Sequence, residues 1–201
     1  MDSRAGCLSL VGGLLALDFA NTAGGRDTAE PIEHLQQPVH LIGWALHAGA
    51  IDAATALRCR SALAGQPSEG RPVLDRALAL RETIYRIGAA ITGGGQPAGT
   101  DLEALKGFVA SALGPAMLKA ARTGGYRFDF QAAPVATALL GPVAWSALDL
   151  LARSSFERLK QCPGQGCGWL FLDQTRNNSR RWCDMATCGN RTKSRRHRER
   201  Q

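Results

Sequence analysis

Apolar residues recur at helical spacing through most of the first 150 positions. Between Leu74 and Ile91, the residues Ala77, Leu80, Ile84, Ile87 and Ile91 share one face, and three glycines at 93–95 end the run. Two shorter helices are predicted over Val39–Ala48, stopped by Gly49, and over Ala53–Ala64, opened by Asp52 and closed by Gly65. From Thr100 the stretch TDLEALKGFVASALG sets Leu102, Leu105, Val109 and Ala112 at helical spacing behind a capping box of Thr100 and Glu103. Pro142 fits the first turn of a further helix whose stripe is Val143, Ala144, Ala147, Leu148 and Leu151. Strict alternation is confined to Tyr126, Phe128 and Phe130, which predicts one short half-buried strand. GQPSEGRP (65–72) and GGGQPAGT (93–100) read as loops, and no internal repeat is visible.

The pattern changes between Arg153 and Lys160, where apolar helix gives way to charge and cysteine. This predicts a mainly α chain of two units: a helical domain over 1–155 and a small module over 156–201. In WLFLDQTRNNSRRW the half from Trp169 to Asp173 is strand-like, Asn177 and Asn178 mark a turn, and the other half ends at Trp182, so a hairpin is expected. The proline-free tail GNRTKSRRHRERQ then continues as a helix. With cysteine pairs at 162/167 and 183/188 flanking it, the hairpin followed by a basic helix predicts a treble-clef-like zinc module. The 201 residues suffice for one core plus such an appendage. The apolar run Leu8–Ala20 contains Gly12, Gly13 and Asp18 and lacks a basic flank, so it reads as part of the fold rather than a signal peptide. With no stretch approaching the roughly 20 apolar residues of a membrane span, the expectation is a cytoplasmic protein with no membrane contact.

Charge sharpens the division. The net charge is +7, yet residues 153–201 hold 12 Lys and Arg against 4 Asp and Glu, so the tail carries the whole excess. A basic end of this kind meets a polyanion, most often nucleic acid, or is simply solvated. Arg191, Arg195 and Arg198 recur at i, i+4 and i+7, with Lys193, Arg196 and Arg200 beside them. A basic helix held rigidly suits phosphates and grooves.

Four of the six cysteines cluster as Cys162, Cys167, Cys183 and Cys188, with four residues inside each pair and 15 between the pairs. Zn2+ takes four soft ligands in a tetrahedron, and two such hooks supply them. Four thiolates also close the shell, which makes the metal structural rather than catalytic. Two disulfides are the competing reading, disfavoured in a reducing compartment. Iron–sulfur ligation has the same sequence signature. Cys7 and Cys59 read as small core residues, and His197 is a spare ligand that four thiolates do not need.

These residues resemble a known family, the CGNR zinc-finger proteins of bacteria. CDMATCGNR, preceded by CGWLFLD and SRRW, is similar to that family's C-terminal finger. GGLLALDFANT (12–22), the helix containing Trp44, ALRETIYRI (79–87) and GPVAWSALDLL (141–151) are similar to the ABATE domain that precedes the finger. At 173–179 the chain has DQTRNNS, where the family more often shows a serine near Thr175. The resemblance implies Zn2+ held by Cys162, Cys167, Cys183 and Cys188, and a stress-related transcription regulator. It marks Arg180, Arg181, Asn190 and Arg191 as the polar positions of the motif. For these, bracing of the hairpin through carbonyls or Asp173 stands beside nucleic-acid contact, whereas Lys193, Arg195, Arg196 and Arg198 point to phosphates.

The leading functional expectation is a DNA-binding regulator whose helical domain senses an effector or dimerises. The alternative is an RNA or acidic-protein interaction module, with Trp169, Phe171 and Trp182 stacking on unpaired bases. A palindromic DNA site would call for a homodimer, although no heptad run advertises one. Asp18 and Asn21 in LDFANT are candidates to line a small-molecule pocket, or to cap a helix end. No enzyme is expected: His34, His40 and His47 lie in amphipathic stretches, and no nucleophile elbow, phosphate loop or carboxylate pair appears.

Overall fold

The structure is a computed structural model that describes residues 4–26, 28–153 and 156–198. Its helices are α1 (Leu15–Ala20), α2 (Pro38–His47), α3 (Ala53–Gly65), α4 (Pro67–Thr92), α5 (Gly99–Leu113), α6 (Val135–Arg153) and α7 (Asn190–Arg198). Three two-stranded antiparallel ribbons accompany them: β1 (Ala23–Gly24) with β2 (Ile32–Glu33), β3 (Met117–Ala120) with β4 (Tyr126–Asp129), and β5 (Leu159–Gln161) with β6 (Leu170–Leu172). The expected class, a helical domain followed by a small zinc module, is what forms.

The long α4 is the spine. It packs against α1, α2, α3, α5 and α6, and its outer end meets β5 and β6. Leu74, Ala77, Leu80, Ile84 and Ile87 are its buried stripe. They close on Leu17 and Phe19 of α1, Leu41 and Trp44 of α2, and Leu139 and Val143 of α6. The rings of Phe19 and Trp44 lie 4.8 Å apart at 50°, a tilted pair that adds to their burial. Gly88 of α4 is a close-approach position: a Cβ there would come within 2.5 Å of Leu170 Cδ1, so the missing side chain is what admits β6 against the helix.

The end of α2 and the start of α3 follow the sequence, whereas Gly65, expected to close α3, is its last helical residue and Gln66 its C-cap. Asp52 accepts from the Thr55 N–H at 2.8 Å, and Gly49 takes a positive φ of 69° after α2. Other ends do not. Residues 67–72 are the first turns of α4, with Pro67 at the start and Pro72 inside, rather than a loop. Pro142 likewise lies inside α6, which begins a full two turns earlier at Val135. In α6 the burial of Ala138, Leu139 and Leu140 outweighs the roughly 3 kcal/mol that an internal proline costs. Thr100 makes no cap; α5 starts at Gly99, and Asp101 instead pairs with Arg86 at 2.6 Å. The strand at Tyr126 has a partner, β3, that the sequence pattern did not mark.

Residues 135–152 of α6 form the one helix among the described residues that is long and apolar enough, by length and composition, to cross a membrane. That revises the expectation that no segment approaches this, yet Ala138, Leu139, Val143, Ala144, Ala147 and Leu150 are buried in the core. Cys59 is buried as expected, whereas Cys7 is exposed at the end of a short 3-10 turn.

Candidate metal centre and basic face

The first hook is the turn between β5 and β6. The Cys162 N–H donates to Trp169 O at 2.8 Å and the Cys167 N–H to Gly164 O at 2.9 Å, which folds the loop back on itself. Gly166 and Gly168 take φ of 67° and 66°, conformations that residues with a Cβ rarely adopt. A Cβ on Gly164 would stand 3.2 Å from Cys188 Sγ and 3.4 Å from Cys162 Sγ, so any side chain there would intrude on the thiol cluster. The second hook is a π-helical turn, Met185–Gly189, whose N-cap Asp184 accepts from the Ala186 N–H at 3.0 Å and the Thr187 hydroxyl at 2.9 Å. Cys188 lies in that turn, and α7 follows directly.

All four thiols are buried and unpaired by disulfides, and their sulfurs lie within 4.8 Å of one another. Cys167 and Cys183 are 3.5 Å apart, Cys183 and Cys188 3.6 Å. A disulfide needs about 2.05 Å, whereas a tetrahedral zinc with Zn–S bonds of about 2.3 Å sets its sulfurs about 3.8 Å apart. The donor set therefore fits Zn2+. With no cation among them, ionising one thiol holds its neighbours protonated. Hydrogen bonds from Cys167 and Cys183 push the Cys162 thiol down to about 2, with backbone N–H groups of Cys183 and Gly164 assisting. Cys167 is pushed up to about 12, chiefly by Cys162, and Cys183 is raised by the same crowding. Four thiolates at this spacing need a cation among them, and Cys162, Cys167, Cys183 and Cys188 hold it.

The predicted hairpin has a different second strand. β6 pairs with β5, with Leu159 opposite Leu172 and Gln161 opposite Leu170, while residues 174–182 form an irregular loop. Asp173 organises that loop. Its fully buried carboxylate accepts from Lys160 Nζ (2.7 Å), the Arg180 N–H (2.7 Å), the Thr175 N–H (2.9 Å) and the Thr175 hydroxyl (2.6 Å). Burial alone would raise its pKa, but these donors hold it well below the usual carboxylate range. Lys160 reaches on to the carbonyls of Asn178 and Arg180 at 2.7 and 3.0 Å. Lys160 had no mark in the sequence; a lone acid ending the apolar run WLFLD was the one available sign.

The basic residues fall into two sets. Arg180 is a brace: its guanidinium donates to Val11 O at 2.8 Å, to Trp182 O at 3.1 Å and to Cys183 O, and lies 4.5 Å over the Phe171 ring. Its assignment to nucleic acid is corrected, because those donors are spent on carbonyls. Arg158 is similarly engaged with the carbonyls of Asp173 and Thr175. The outer set, Arg176, Arg181, Arg191, Lys193, Arg195 and Arg198, is exposed. Arg195 donates to Gln165 of the first hook, and Arg198 Nε reaches Ser194 O at 3.4 Å. Arg191, Arg195 and Arg198 line a 410 Å³ groove shared with Thr28 and the hook glycines Gly164 and Gly166. The side chains of Arg196 and His197, and all of Arg200, lie outside the described residues. Asn190 Nδ2 donates to Ala186 O at 3.2 Å, a local turn contact.

Asn21 stands at the C-cap of α1, as the helix-end reading expected, and its side chain, with that of Asp18, joins the two units. The Asn21 side chain donates to Leu170 O at 2.8 Å and accepts from the Leu170 N–H at 2.9 Å, mimicking a strand partner for β6. Asp18 accepts from the Gly12 N–H at 2.7 Å, and Gly12 O in turn accepts from the Leu172 N–H at 2.8 Å. Burial raises the Asp18 carboxyl to about 6, against the pull of Gly12, Arg180 and His47. Trp169 Nε1 donates to Ala23 O at 3.0 Å, and Phe171 is buried beneath Arg180. The three-ring stacking surface expected for unpaired bases is therefore not displayed: two of its rings are built into the fold.

Residues 13–154 match the family model of the ABATE domain, described as a "putative stress-induced transcription regulator", and residues 158–201 match the CGNR zinc finger. No curated protein matches the chain.

Proposed function

The chain belongs to the ABATE family, and on that footing we propose that it is a cytoplasmic, zinc-containing transcription regulator that binds duplex DNA through α7 and does no catalysis of its own. The observation that carries this reading is the placement of the exposed bases. Arg191, Lys193, Arg195 and Arg198 project from a helix whose first residue follows the last metal ligand by two positions. The metal thus fixes the helix end, and the groove beside it brings three guanidiniums to one trough. Phosphate contact positions such a helix, and salt-sensitive affinity follows from counterion release. The helical domain would act as sensor or dimerisation unit, and its hydrogen-bonded seam with the finger gives either role a path to α7.

Fluorescence anisotropy of zinc-loaded protein with mixed-sequence duplex DNA tests this. Four phosphate contacts predict a fall in affinity of about 100-fold between 50 and 200 mM salt, and Arg191→Ala with Lys193→Ala should flatten that slope by about two contacts. Affinity that does not respond to salt, or an unchanged slope in the double variant, would sink the proposal.

A further inference from the structure

Between the helical domain and the finger lies a cleft of 310 Å³ that adjoins the groove beside α7, the two sharing Gly166, Cys188 and Arg191. Buried Gly24 and Gly25 on one side, and Cys167 and Cys183 on the other, form its floor. Leu8, Ile32 and the indole of Trp169 give it an apolar wall. At its mouth stand two exposed cations from opposite units, Arg4 and Arg191. Asp184, the acid of the lining, spends its carboxylate on the Ala186 N–H and the Thr187 hydroxyl. The zinc–thiolate shell is negative, but it lies at the floor, and backbone N–H groups of Gly164, Cys183 and Trp169 offset its sulfurs. Apolar depth with cations at the rim is the chemistry of an amphipathic anion site, and the volume is within the usual range for small ligands, roughly 300–1,000 Å³.

We propose that this cleft is an effector site for a small organic carboxylate with a flat apolar body. The body lies along Trp169 and Ile32, and the carboxylate sits between Arg4 and Arg191. Binding there draws on both units at once and occupies Arg191, a base that the DNA-binding reading assigns to phosphate. Occupancy of the cleft and occupancy by DNA therefore oppose each other, and the opposition is reciprocal. This second half rests on the proposed function; the binding itself does not.

The test uses the zinc-loaded full chain and 1-anilinonaphthalene-8-sulfonate, an apolar anion whose emission rises on leaving water. Expected is saturable binding of one probe per chain, displaced by 1-naphthoate but not by the neutral 1-naphthalenemethanol. Arg4→Ala combined with Ile32→Glu should weaken the probe at least about tenfold, through loss of a cation and gain of a repelling charge. Both positions are exposed, and zinc content with far-ultraviolet circular dichroism verifies the fold. Arg176→Ala, exposed and outside the cleft lining, should change nothing. Equal displacement by the neutral alcohol, or undiminished binding in the double variant, overturns the cleft. Naphthoate should also release bound duplex DNA. Cleft-dependent probe binding with no DNA affinity under any condition would support the site while overturning the regulator reading; intact DNA binding that naphthoate leaves unchanged would overturn the coupling.

Discussion

The two units of this chain offset the entropy of folding by different means. The helical domain buries large side chains, Trp44, Phe19, Leu17, Leu41, Leu80 and Leu139 among them, each contributing roughly 1.5–3 kcal/mol. The finger's own buried cluster is Phe171 and the four cysteines, with Val11, Trp169 and Trp182 against it. So small a cluster cannot hold a fold alone, and structural zinc, at about 10–16 kcal/mol in finger peptides, supplies what packing does not. The seam also differs in kind from its two sides. The helical core takes in Leu159 and Leu170 of the finger as apolar filling, whereas β6 takes its outer hydrogen bonds from Asn21 and Gly12 of the helical domain. The finger is held by a metal from within and by a neighbour from without.

Metal removal should separate the units most sharply. Chelation, or Cys183→Ser, is expected to abolish the amide-exchange protection of residues 159–189 while α4 and α6 keep theirs. Hydrogen-exchange mass spectrometry measures this, and loss of protection throughout would show that the comparison is false. Next in size, Trp44→Ala should destabilise the helical domain by about 3–5 kcal/mol in urea denaturation, with zinc per chain unchanged under native conditions. Asn21→Ala leaves both backbone groups of Leu170 without their partner and should cost about 2–4 kcal/mol. Its signature is local: faster zinc transfer to a chromophoric chelator, with exchange in α3 and α5 unaffected.

The smallest effect concerns pH. Asp18 is raised to about 6 in the fold from an ordinary 3.8, so the folded state favours its protonated form. The stability this confers is complete below about pH 4 and is lost as pH rises through 6. Wild type should therefore gain on Asp18→Asn as pH falls from 7 to 5, read as the difference between their urea midpoints. A difference that stays constant would place Asp18 in solvent rather than in the seam.

The legible part of the site was the part set by local chemistry. Cysteine spacing marks a four-sulfur metal site wherever the hooks end up, and Asp52 and Gly49 mark helix ends because caps act within a turn. Arg180 and Arg191, by contrast, look alike in a row of letters. One is spent on three carbonyls and the other stands at the surface; the difference arises because Val11 approaches from far back in the chain and the turn after Arg180 folds the Trp182 and Cys183 carbonyls onto its guanidinium. Asp18 and Asn21 were visible as an unusual polar cluster, yet their use depended on a strand about 150 residues away.

By itself, then, the sequence determined the helical class, the four metal ligands and the basic character of the last helix, since each rests on spacing and side-chain type within a short window. Tertiary structure alone decided which strand pairs with β6, where α4 and α6 run through their prolines, which arginines brace and which face outward, and that a cleft opens between the two units. Those outcomes are set by burial and by hydrogen-bond partners distant in the chain, and a missing helical hydrogen bond or an unpaired strand edge is settled by whatever packs against it.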